Sequence, residues 1–107
     1  MNAEDINIIY LGEKFKLVVN LPPMHDLTMD DYDFTISAYC VPYKKQVVAK
    51  QEAIRDDESN YIVCLDSAVL GPGRVKLEVR CQIPDKDFSD GYRPSICRIF
   101  TKHVIVK

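Results

Sequence analysis

The chain has no tryptophan and two histidines among 107 residues. It also lacks a Cys-x-x-Cys pair, a basic tract and any long apolar run. Each absence removes a class of protein. An immunoglobulin domain proper carries a core tryptophan, so the chain is not one of those. His25 falls in a loop and His103 near the end of the last expected strand, with no nucleophile placed beside either. Cys97 and His103 share one strand and stand roughly 20 Å apart when it is extended. A hydrolase triad is therefore not expected. The net charge of −2, with no clustered positive face, argues against a nucleic-acid partner. No run approaches the ~20 apolar residues that span a bilayer, so membrane insertion is not expected. Residues Met1-Asn2-Ala3-Glu4-Asp5 are acidic where a secretory leader would be basic, which implies synthesis and folding in a cytoplasm.

The four cysteines, Cys40, Cys64, Cys81 and Cys97, each lie in or beside an expected strand. Zinc ligands usually come from closely spaced pairs on turns. A disulfide would need an oxidising compartment. Reduced thiols acting as small apolar side chains are the expectation.

Apolar residues form 47% of the chain, enough for a real core. The length suits one domain, residues 1–107. Strand patterns dominate. Asn7 to Leu11 is short and branched. Phe15, Leu17, Val19 and Leu21 alternate with Lys16, Val18 and Asn20 until Pro22-Pro23 stops them. Met24 to Tyr32 reads as a polar connection with one helical turn near Thr28 to Asp31. Asp33 to Cys40 alternates again, Gln46 to Lys50 is shorter, and Gln51 to Asn60 mixes charges around an exposed turn. Tyr61 to Leu65 is an apolar strand, and Asp66 can cap a single helical turn after it. The last strand runs from near Ser95 to near Val106, with a slip in alternation around Arg98 to Lys102 that predicts a bulge or a bend. No segment keeps a 3.6-residue period over three turns. The expectation is an all-β, antiparallel two-sheet sandwich of immunoglobulin-like type with about seven strands. A small barrel is the alternative.

The most specific stretch runs from Leu70 to Arg93. Gly71-Pro72-Gly73 reverses the chain, and Val75, Leu77, Val79, Cys81 and Ile83 then face inward against Arg74, Lys76, Glu78, Arg80 and Gln82. The loop Pro84-Asp85-Lys86-Asp87-Phe88-Ser89-Asp90-Gly91 closes it. Asp85, Asp87 and Asp90 are candidate calcium ligands, though their spacing fits the EF-hand pattern poorly. Turn chemistry explains the same residues, with Asp90-Gly91 as a hairpin-type turn. The carboxylate pairs Asp30-Asp31 and Asp56-Asp57 sit in turns and do not suggest a glycosidase. No cofactor is expected. Tyr39, Tyr43, Tyr92 and Arg93 are interface candidates, because an exposed tyrosine buries area while its hydroxyl still finds partners.

The turn and strand Leu70-Gly71-Pro72-Gly73-Arg74-Val75-Lys76-Leu77-Glu78-Val79, followed by Ile83-Pro84-Asp85, Phe88, Asp90-Gly91 and Arg93, resembles small all-β proteins of phage and prophage tail modules of gut bacteria. Tyr10-x-Gly12-Glu13-x-Phe15-x-Leu17 and Val104-Ile105-Val106 fit the same pattern. The chain is also similar to the N-terminal sandwich domain of phage baseplate upper proteins. The resemblance implies a non-enzymatic virion structural or assembly protein, associated with tail, baseplate or fibre. It would act through contacts with other tail subunits or copies of itself, with the assembled virion as a destination. A peptide- or carbohydrate-binding immunoglobulin-like module is the competing expectation.

Overall fold

Branched residues in period-2 alternation become strand along most of the chain, and the faces they bury define two sheets. The computed structural model describes residues 7–107, apart from the side chains of Phe100, Lys102 and His103. The acidic residues 1–5 and the His103 imidazole therefore lie outside the described residues. Eight strands form among the described residues: β1 (Asn7–Ile9), β2 (Lys14–Asn20), β3 (Asp33–Tyr39), β4 (Lys45–Ala49), β5 (Ile54–Asp57), β6 (Asn60–Asp66), β7 (Gly73–Pro84) and β8 (Tyr92–Val106). One sheet has the order β1-β8-β7-β3-β4, the other β2-β6-β5.

The core lies between the sheets. Phe34, Ile36 and Ala38 of β3 and Val75, Leu77, Val79, Cys81 and Ile83 of β7 are all buried. They meet Val19 of β2 and Tyr61, Val63 and Leu65 of β6 in one apolar cluster. Phe34 and Tyr61 pack edge to face across the interior, centroids 5.0 Å apart, a favourable arrangement of ring quadrupoles. The burial of alternate β7 residues follows the expected pattern, with Glu78 as the exception.

Three expectations need correction. The sandwich is not purely antiparallel, since β1 pairs with β8 in parallel, Asn7 opposite Val104. The segment Gln51 to Asn60 holds a strand, β5, that pairing alone selects. All four of its residues are exposed, so no burial pattern announced it. The last strand begins at Tyr92, earlier than its apolar alternation suggests, because Pro84 and Tyr92 are already paired. Of the bulge or bend expected there, a bulge is present. The β7–β8 register runs to Lys76 opposite Phe100, then resumes at Arg74 opposite Ile105, leaving surplus residues on β8. Thr101 Oγ1 donates to the Val75 carbonyl inside this irregularity.

The crossings are held by short polar devices. Asp66 caps helix α1 (Ser67–Leu70) by accepting the Ala68 N–H at 3.0 Å, as the sequence suggests. The buried Ser67 hydroxyl accepts the Gly12 N–H at 2.8 Å and donates to the Tyr10 carbonyl at 3.2 Å. That pins the β1–β2 turn to the far end of β6.

Candidate interaction surfaces

The sequence-predicted interface residues do not form one patch. Tyr39 is half-buried on the outer face of the five-stranded sheet, with the Lys45 ammonium 5.5 Å from its ring centroid. Tyr43 is 82% exposed in the turn just beyond. Tyr92 and Arg93 lie at the opposite end of that sheet. Tyr39 is opposite Lys76 and Tyr92 opposite Pro84, eight residues apart on β7, or roughly 27 Å.

Arg93 is tied into a local cluster. Its guanidinium lies 2.8 Å from His25 Nε2 and 3.8 Å from Asp85 Oδ2. The aspartate loop is committed to turn geometry. Asp85 Oδ1 accepts the Asp87 N–H at 3.0 Å, and Asp90 Oδ1 accepts the Tyr92 N–H at 3.1 Å. Gly91 holds φ at +82°, a left-handed conformation suited to glycine. Among the described residues no three His, Cys, Asp or Glu side chains gather closely enough to hold a metal ion.

The exposed row of β7 contains a feature that alternation hides. Glu78 points to the outer face yet is only 8% exposed. It sits between two guanidiniums: Arg80 Nε donates to Oε1 at 3.1 Å and Arg98 Nε to Oε2 at 3.3 Å. Burial pushes its pKa up, but the bonds from Arg80 and Arg98 outweigh that and hold it below the ordinary carboxylate value. Val47, Ser37, Glu78 and Arg98 form one cross-strand row, and Ala49, Thr35, Arg80 and Ile96 the next. Val47 is 58% exposed and Ile96 46%. The outer face is thus a mix of apolar spots around a net-positive ion trio.

An open cleft of about 520 Å³ lies near the Tyr92 end, lined by Asp31, Asp33, Lys50, Gln82 and Tyr92 among others. Lys50 Nζ donates to the Tyr32 carbonyl at 2.8 Å and the Asp30 carbonyl at 3.2 Å, so its charge closes the loop beneath the cleft. Asp30 lies in an exposed turn, as expected, yet it is tied to distant residues. It takes three bonds from two nitrogens of the Arg55 guanidinium and one from the Tyr61 hydroxyl at 2.6 Å. The Arg55 bond, with help from Tyr61, holds its pKa down at about 2. Burial and then the Asp30 carboxylate push the Tyr61 phenol up to about 12.

The two lateral edges of the sandwich differ. On the β4 side, β5 pairs with β6 at residues 60–62, leaving the upper half of β6 without a strand neighbour on that side among the described residues. The Gln46 carboxamide fills the gap. Its Oε1 accepts the Asp66 N–H at 2.8 Å and its Nε2 donates to the Cys64 carbonyl at 3.3 Å. One amide bonding to residues either side of Leu65 reproduces the pattern of a parallel strand. Nothing in the sequence around Gln46 distinguishes this glutamine from any other on an edge strand. On the β8 side no such plug is found among the described residues. Phe15 and Leu17 of β2 and Cys97 and Ile99 of β8 point inward but are only half-buried.

Comparison with protein-family models, with curated proteins and with solved structures finds no match to this chain. What the fold defines is an all-β two-sheet sandwich, and the reading of its function rests on its surfaces.

Proposed function

We propose that the chain is a non-enzymatic, immunoglobulin-like protein-interaction module serving as a phage- or prophage-derived structural or assembly subunit. The strand order supports the immunoglobulin-like part. Strands β2, β6 and β5 correspond in order to B, E and D, and β8, β7, β3 and β4 to G, F, C and C′. Phe34 lies on β3, the strand matched to C, on which antibody domains carry their core tryptophan, and it packs edge to face on Tyr61. The observation that carries the interaction reading is the outer face of the five-stranded sheet. It displays Val47 and Ile96 beside the Arg80–Glu78–Arg98 trio, an apolar and charged mixture that suits a protein contact better than open solvent. The tail-module part is supported by the residues from Leu70 to Arg93.

Light scattering behind size exclusion, over a hundredfold concentration range, tests this reading. A closed oligomer that Val47→Asp dissolves is the expected result. A strict monomer that also forms no complex with co-expressed tail subunits would overturn it.

A further inference from the structure

We propose that the open edge of β8 accepts an extended strand from another protein, apolar on alternate residues and acidic between them. The inference rests on the interaction-module reading but uses the strand edge that borders the outer sheet face, with Arg98 shared between the two.

The backbone supplies the first part. β8 pairs with β7 along its length, but on its other side only residues 104–106 have a partner, the three residues of β1. From Tyr92 to the bulge that side has no ladder partner among the described residues. Pro94 has no N–H, yet lies in an unbroken register with β7, opposite Gln82. Its nitrogen therefore faces the open side, where proline is tolerated. Strand backbone alternates, so the N–H groups of Ile96 and Arg98 face that side too.

The second part is the apolar seam. β1 and β2 are joined by the short turn at residues 10–13, so the free edges of β8 and β2 lie on one side of the sandwich. Between them stand Phe15, Leu17, Cys97 and Ile99, all facing inward and all half-buried. Their neighbours one strand further in, Val63, Leu65, Leu77 and Val79, are closed from solvent. The seam is bounded below by the Arg93–His25 contact and above by β1. About six extended residues fit that length, roughly 20 Å. An added strand would complete the backbone ladder and cover the seam with alternate side chains.

Charge selects the occupant. One lip carries Arg98, which shares a single carboxylate with Arg80 and leaves the trio net positive. The other carries Lys14 and Lys16, exposed and without an ion-pair partner among the described residues. Lysine on an edge strand opposes pairing between two like copies. An acidic strand meets the same charges favourably.

The test uses the full chain and the synthetic peptide Val-Glu-Val-Glu-Val-Glu-Val, followed by amide exchange and backbone NMR shifts. The expected result is saturable binding that protects the Ile96 and Arg98 amides at least tenfold. It should be lost with the central glutamate changed to proline, and in Leu17→Glu. Val47→Asp, on the outer face, should leave it unchanged, so failure of that docking face and failure of the seam can be told apart. Arg98→Glu should weaken the acidic peptide and favour its lysine counterpart. No protection at millimolar peptide, or equal binding of the proline peptide, would overturn the proposal. So would Ile96 and Arg98 amides already protected without peptide, whether in a monomer covered by its own chain or in a dimer of two copies.

Discussion

The two sides of this sandwich meet the same problem in opposite ways. Each ends in strand backbone that would otherwise lack a partner. On the β4 side a side chain stands in for the missing strand: Gln46 bonds across to Cys64 and Asp66, and Asp30, Arg55 and Tyr61 lock the corner below. On the β8 side the apolar residues stop half-covered and the backbone has no partner among the described residues. Edge strands are liabilities that proteins usually blunt. A chain that plugs one side with a single amide and leaves the other rimmed by lysine and arginine has one protected edge and one receptive edge.

Large-to-small changes should separate the sides most clearly. Leu65→Ala, beneath the closed side, should cost about 2–5 kcal/mol in denaturant unfolding, as should Leu77→Ala at the centre. Leu17→Ala, in the open seam, should cost about 1–2 kcal/mol because its side chain is already partly in water. Equal costs would mean the seam is as well packed as the core. Next in size, Gln46→Ala should cost about 1–3 kcal/mol by leaving the Asp66 N–H and Cys64 carbonyl without their partner. A cost near zero would reduce the plug to an incidental contact. Gly91→Ala, in the loop leading to β8, should cost about 1–2 kcal/mol because φ of +82° strains any residue with a Cβ.

The smallest effect is one of pH. Asp30 in the folded protein has a pKa of about 2, against an ordinary 3.8. Its contribution to stability is therefore full above about pH 4 and disappears as the pH falls through 2. Asp57 and Glu78 are shifted in the same direction. Acid unfolding curves of Asp30→Asn should accordingly be flatter between pH 4 and 2 than those of the parent, without becoming flat. An unchanged slope would remove Asp30 from the closed corner.

The sequence shows the core plainly because alternation records burial: Phe34, Ile36, Leu77 and Val79 lie where their period placed them. The Asp66 cap and the positive φ of Gly73 and Gly91 follow from local residue chemistry. What escapes notice is everything set by distant partners. β5 has no inward face, so only its pairing with β6 makes it a strand. Asp30 sits in a turn-like acidic pair, and its partners are 25 and 31 residues away. Glu78 occupies an outward position and is buried by two arginines on either side of it in space, one from β8. The parallel placement of β1 left no mark in its own three residues.

Site-resolved amide hydrogen exchange on the free protein tests the difference between the edges most directly. The Asp66 amide, capped by Gln46, should be protected, and it should lose that protection in Gln46→Ala. The Ile96 and Arg98 amides should exchange near the rate of open backbone while Val79, one strand inward, exchanges slowly. If Ile96 and Arg98 are as protected as Val79, the β8 edge is already occupied and the receptive edge does not exist.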